Sequence, residues 1–262
     1  MPTIDRHAPG SFCWFELGTS DQNAAKQFYS SLLGWNPVDY PMGPNAFYTM
    51  FKLSGKDCAA AYGLDERMKA AGVPPHWMLY IAVESADATA AKVASAGGTV
   101  LQPPFDAMTF GRMAVLKDPA GASFSIWEPK DHHGTGITGE PGTFCWADLC
   151  VPDAEQVKAF YGAVFGWQLA VSEHDNSGYL HIKNGDTFIG GVPPAQFNPP
   201  NVPPHWLLYY YVTDCDASTA KAKELGARVL MGPMDIEKVG KMSVIGDPQG
   251  VVFALFTPAP HA

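Results

Sequence analysis

Long apolar runs are missing from this chain of 262 residues: no uninterrupted stretch approaches the roughly 18 residues that a bilayer-spanning helix needs. The start, MPTIDRHAPG, lacks the basic segment and apolar core of a secretory leader. These absences lead us to expect a cytoplasmic protein with no membrane partner. Positive charge is scarce too, with 17 Lys and Arg against 26 Asp and Glu and a formal net charge of −9, which disfavours a polyanion and so nucleic acid as a partner. Cysteine is sparse: Cys13, Cys58, Cys145, Cys150 and Cys215 form no C-x-x-C pair, and an odd number cannot complete a disulfide framework. Reduced thiols are expected, with Cys13 and Cys145 acting as small hydrophobes inside strands. Disorder is excluded by a composition that is 47% hydrophobic and only 16% charged.

What the chain does contain is a repeat of itself. Thr143 to Trp167 (TFCWADLCVPDAEQVKAFYGAVFGW) rewrites Ser11 to Trp35 (SFCWFELGTSDQNAAKQFYSSLLGW) at an offset of 132, and the block beginning at Pro203 rewrites the one beginning at Pro74 at an offset of 129. Two homologous domains follow, at residues 8–129 and 143–258, each of about 120 residues and long enough to bury its own core. The segment 130–142 (KDHHGTGITGEPG) is rich in Gly and bracketed by Pro, which reads as an exposed linker with solvated His132 and His133.

Each domain divides again. GSFCWFELGTSD alternates as a strand, Ser20 or Asp21 caps a helix that Gly34 stops, and three strands fit WNPVDY, AFYTMFKL and DCAAAYGL. A second unit repeats the order, with a strand at HWMLYIAV, a helix from about Ala86 to Ala96, and strands at TVLQPPFDA, RMAVLKD and ASFSIWE. The turn Asp118-Pro119-Ala120-Gly121 is matched by Asp247-Pro248-Gln249-Gly250. The chain is therefore four βαβββ units.

In these features the chain resembles the vicinal oxygen chelate superfamily, which contains glyoxalase I, bleomycin resistance proteins and extradiol dioxygenases. The carriers are Phe28-Tyr29 with Leu32-Leu33-Gly34-Trp35, their copies Phe160-Tyr161 and Val164-Phe165-Gly166-Trp167, the Ala-Gly-Gly helix stop, and both D-P-x-G turns. The resemblance covers nearly the whole chain and looks closest to two-domain glyoxalase-related proteins described as hydroxylases or lyases. It implies an α+β fold in which the four βαβββ units form two cupped, incompletely closed barrels, in a monomer or homodimer.

The family's enzymes hold one divalent metal on a His or Glu of each unit's first strand and a Glu of the last. Counting seven residues back from the helix-capping Asp gives Trp14 and Trp146, and seven forward from the turn Asp gives Ser125 and Ala254. Five residues before Val83 and Val212 stand Met78 and Leu207. None supplies a donor suited to such a metal, so no metal cofactor is expected at these positions.

Alternation says what fills the cups instead. Phe12, Trp14 and Glu16 share the cup face of the first strand, and Cys13, Phe15 and Leu17 face the helix. His76, Met78 and Tyr80 share the cup face of the second unit's strand. The copy gives Trp146 with Asp148, and His205 with Tyr209. Glu16/His76 and Asp148/His205 are read as acid–base pairs, with Trp14, Tyr80, Trp146 and Tyr209 as ligand-binding residues. The same residues also fit a structural account, in which each His bonds a loop and Trp14 and Trp146 pack the core. Met50 and His181 fall at equivalent positions, so the two cups differ. The expected function is a glyoxalase-related enzyme, without the family's canonical metal site, acting on a small carbonyl or aromatic metabolite; a further reading keeps the enzyme and places a metal on Glu16 and His76 with water completing its shell. The alternative is a small-molecule sequestering protein of the bleomycin-resistance type.

Overall fold

The computed structural model describes residues 4–44, 46–171 and 177–260. In the first domain β1 (Phe12–Thr19) leads into α1 (Gln22–Leu33), then β2 (Asn36–Gly43), β3 (Ala46–Leu53), β4 (Lys56–Gly63) and a short α2 (Glu66–Ala70). The second unit runs β5 (His76–Ala82), α3 (Ala86–Ser95), β6 (Thr99–Ala107), β7 (Gly111–Lys117) and β8 (Ser123–Pro129). The second domain repeats this as β9 (Phe144–Cys150), α4 (Ala154–Phe165), β10 (Gln168–Val171), β11 (Leu180–Asn184) and β12 (Thr187–Val192). It continues through β13 (His205–Tyr211), α5 (Cys215–Glu224), β14 (Arg228–Ile236), β15 (Gly240–Gly246) and β16 (Val252–Pro258).

The four longer helices start where a short acceptor side chain meets an orphan amide. Asp21 accepts from Ala24 N–H, and Ser85, Asp153 and Asp214 do the same for their helices. Each domain forms one eight-stranded sheet, in the order β2-β3-β4-β1-β5-β8-β7-β6 and β10-β11-β12-β9-β13-β16-β15-β14. The two units join at the antiparallel β1/β5 and β9/β13 pairs, and the end strands of a sheet do not pair with each other, which leaves the cup open.

The two domains do not bury separate cores. One apolar cluster runs through both: Phe15 stacks on Phe144 with centroids 3.9 Å apart, and Tyr29 lies 5.5 Å from Phe253. Polar bonds cross the same boundary reciprocally. Tyr29 donates to Oδ2 of Asp247 and Tyr161 to Oδ2 of Asp118, each at 3.0 Å. The other oxygen of each carboxylate accepts amides of its own turn, from Gly121 and Ala122 or from Gln249 and Val251. The signature Phe-Tyr pair of one domain thus completes the D-P-x-G turn of the other.

Segment 130–142 is not an exposed linker. Thr135 N–H donates to Cys13 O, Gly136 N–H to Asp57 O and Gly142 N–H to Tyr211 O, and Thr135, Ile137 and Gly142 are buried. Gly134 comes so close to Cys13 that a Cβ there would sit 2.3 Å from its carbonyl oxygen, with φ at +100°. At Gly134 and Gly142, where a Cβ would lie 2.6 Å from Leu33 O, glycine serves close approach rather than flexibility. His132 is correspondingly packed, edge-on to Trp14 at 4.6 Å, with its carbonyl accepting from the Trp127 indole.

Candidate functional site

Simple alternation holds along β5, where Trp77, Leu79 and Ile81 join the shared core and Tyr80 and Met78 face the cup. On β1 it holds only past a register shift between Phe12 and Trp14. That irregularity turns Phe12 into the shared core against Phe144, Trp167 and Trp206, and leaves both Cys13 and Trp14 on the cup side, contrary to the faces expected for Phe12 and Cys13.

Past the shift, Glu16 stands between Ala60 of β4 and Met78 of β5. Its Oε1 accepts from the Tyr48 hydroxyl at 2.7 Å and its Oε2 from the Tyr80 hydroxyl at 2.6 Å. The Trp14 indole N–H donates to the Tyr48 oxygen at 3.2 Å. Burial raises the Glu16 pKa above the usual carboxylate value, and the two phenol hydrogen bonds and the nearby His76 oppose it. Burial and the carboxylate's own field hold the Tyr48 and Tyr80 hydroxyls well above their ordinary value, so both remain donors.

The second cup repeats the cluster with one methylene fewer. Asp148 stands between Gly191 of β12 and Leu207 of β13. Its Oδ1 accepts from Tyr179 at 2.5 Å and from the Trp146 indole at 3.2 Å, and its Oδ2 from Tyr209 at 2.7 Å. Trp146 also donates to the Tyr179 oxygen at 2.8 Å. The shorter carboxylate is reached because Gly191 stands where the first domain has Ala60: a Cβ on Gly191 would lie 2.0 Å from the Tyr179 oxygen. Burial again raises the Asp148 pKa, against the hydrogen bonds of Tyr179, Tyr209 and Trp146.

The structure thus brings Trp14, Glu16 and Tyr80 together, and likewise Trp146, Asp148 and Tyr209. It does not hydrogen-bond the expected acid–base pairs. Among the described residues neither Glu16 with His76 nor Asp148 with His205 is joined, because Nδ1 of His76 faces Pro74 O and Nδ1 of His205 faces Pro203 O, each at 2.9 Å. In register His76 lies opposite Gly18, and its ring and the Tyr62 hydroxyl both close over that glycine. Each histidine stands one cup-facing position along from the carboxylate. The partners that the sequence reading missed are Tyr48 and Tyr179. They are separated by 131 residues, between the two offsets of the repeat, and that spacing was the available signal.

The cups differ in what they expose. Trp14 is sealed to 4% exposure beneath His132, whereas Trp146 is partly exposed; conversely Glu16 is partly exposed and Asp148 is 6% exposed. The cysteines are free thiols, and burial pushes Cys145 and Cys150 up to about 12, which leaves no activated thiolate there.

A family model described as the Glyoxalase/Bleomycin resistance protein/Dioxygenase superfamily matches residues 11–126 and again 143–255. The chain belongs to this superfamily. Its relatives include the protein named "Putative glyoxylase CFP32" of Mycobacterium tuberculosis (strain CDC 1551 / Oshkosh), 39% identical over 265 residues and all of both chains. Anthracycline biosynthesis protein DnrV of Streptomyces peucetius is 35% identical over 96% of this chain and 94% of its own. Among solved structures, the Mn(II)-bound glyoxalase of Novosphingobium aromaticivorans superposes with a TM-score of 0.65 at 19% identity, covering 95% of this chain and 82% of that one, a likeness of fold.

The superfamily's metal chemistry does not fit the residues of these cups. Trp14, Met78 and Ser125, with Trp146, Leu207 and Ala254 in the copy, offer no imidazole or carboxylate, and Ala254 offers no side-chain donor at all. Among the described residues no group of three or more His, Cys, Asp and Glu is arranged so that it could hold a metal ion. The two cup carboxylates turn their lone pairs to phenol and indole donors, an arrangement suited to holding a proton or a negative charge rather than a cation.

Proposed function

We propose that this member of the superfamily is a metal-independent enzyme that moves a proton on a small carbonyl or aromatic metabolite. The observation that carries the reading is the repeated cluster of one buried carboxylate, two tyrosine hydroxyls and one indole N–H. A carboxyl group whose pKa is raised by burial is a stronger base, and an acid nearer neutrality, than one in water. Glu16 is the leading acid–base group because it is partly exposed to its cup, with Asp148 as its counterpart. Tyr80 and Tyr209, joined by Tyr48 and Tyr179, orient the carboxylates and can pass a hydrogen bond to an oxyanion. His76 and His205 stand beside them as polar groups that meet the ligand.

The test is solvent deuterium uptake, followed by proton NMR, at the carbon next to the carbonyl of α-hydroxy ketones and aryl ketones, in buffer containing a chelator. We expect exchange by the untreated protein and a loss of about 100-fold or more in Glu16→Gln with folding retained. Exchange that needs added metal, or that survives both Glu16→Gln and Asp148→Asn, would refute the assignment. The partly exposed indole of Trp146 favours a second reading, capture without turnover, in which ligands quench tryptophan fluorescence and no exchange occurs.

A further inference from the structure

The second cup contains one group that its hydrogen-bond cluster does not use. His181, on β11, lies in register across Gly191 from Asp148, and the equivalent position in the first cup is Met50. Its ring is walled edge-on by Tyr179 at 5.1 Å, Phe188 at 5.3 Å and Trp146 at 6.3 Å. Nδ1 is fully buried with no hydrogen-bond partner among the described residues, while the residue as a whole is partly exposed. A buried N–H without an acceptor is costly, so the favoured neutral tautomer leaves Nδ1 bare and carries its hydrogen on Nε2. Nε2, which is not among the buried unpartnered atoms, is then a donor. Beside it are flat aromatic walls, of which Phe188 is 53% exposed and Trp146 partly so.

Resting on the small-molecule reading above, we infer that the second cup selects a flat aromatic ligand bearing a carbonyl, whose oxygen accepts from Nε2–H of His181 while its ring lies against Trp146, Tyr179 and Phe188. The first cup, with the Met50 thioether in the same place, has no such donor. The two cups therefore differ in how they meet a carbonyl: the second adds the imidazole donor of His181 to the tyrosine hydroxyls that both cups contain.

The probes are 2-acetylnaphthalene and 2-ethylnaphthalene, which share a ring system and differ by the carbonyl oxygen. Wild-type protein should bind the ketone about tenfold more tightly at the second cup, the effect of one hydrogen bond to an otherwise unpaired group. His181→Met, which copies the first cup, should erase that preference without a loss of thermal stability. In wild-type protein labelled with ¹⁵N histidine, the His181 ring resonances should shift on titration with the ketone and stay still with the hydrocarbon, a readout that needs no variant to fold. Equal affinity for the two probes, a preference that survives His181→Met, or unmoved His181 resonances would each overturn the inference. Binding of neither probe would overturn it together with the small-molecule reading, whereas normal binding without deuterium exchange would remove only the catalytic assignment.

Discussion

Gly191→Ala is the sharpest probe of how the second cup is built. Gly191 lies on β12 with ordinary strand backbone, so alanine brings no conformational strain, and the whole cost is steric. The added methyl would lie 2.0 Å from the Tyr179 oxygen, 2.1 Å from its Cζ and 2.4 Å from its Cε1, so the ring must leave its place. With it go the 2.5 Å bond to Asp148 and the 2.8 Å bond from Trp146, while Asp148 keeps Tyr209. Overpacking of this kind costs about 1–3 kcal/mol. For a chain of this size about 2 kcal/mol corresponds to a melting temperature lower by roughly 4–8 °C. The assay is a double-mutant cycle with Tyr179→Ala, read by calorimetry. Because the clash is with the Tyr179 side chain alone, Gly191→Ala should be nearly neutral in the Tyr179→Ala background, giving a coupling of about 1–3 kcal/mol. An equal cost in both backgrounds would refute the idea that this glycine exists to admit Tyr179.

Three further outcomes follow from the structure. The Glu16 and Asp148 pKa values are raised in the folded state, so their contribution to stability is full below the unfolded value, near 4, and is lost as pH rises through the folded value. The double variant Glu16→Gln/Asp148→Asn should therefore lose less melting temperature between pH 4 and pH 8 than the parent, and parallel pH curves would contradict this. Limited proteolysis should spare segment 130–142, whose amides are engaged and whose Thr135 and Ile137 are buried, and residues 1–129 expressed alone should fail to fold because the Phe15–Phe144 stack is cut; early cleavage in that segment into two stable halves would contradict both.

Much of the scaffold was legible because it depends on local chemistry: the caps at Asp21 and Ser85, the stop at Gly34 and the two-residue alternation of β5 are each written in a few neighbouring residues. The cup-facing carboxylates followed from the same alternation. What was not legible depends on contacts distant in sequence. A face of Phe and Trp that packs against the other domain looks the same, as text, as one that packs against its own helix, so the shared core was missed. The shift that turns Phe12 inward leaves no mark on alternation, since Cys13 and Phe12 are both apolar. Histidine was paired with carboxylate because both face the cup, but a face says nothing of reach. The imidazoles bond prolines two residues away, and tyrosines from elsewhere in each domain take the carboxylates.

The crossed bonds from Tyr29 to Asp247 and from Tyr161 to Asp118 bear on how such a duplicated chain can change. A substitution in either Phe-Tyr pair is felt in a turn of the opposite half, so neither half can be remodelled there without the other adjusting in step. The cups lie on the far faces of the two sheets from this junction and are under no such mutual obligation. Glutamate can become aspartate, alanine can become glycine, and methionine can become histidine in one cup while the other stays as it was. A mirrored scaffold with independent interiors lets one polypeptide keep one binding chemistry while it tries another.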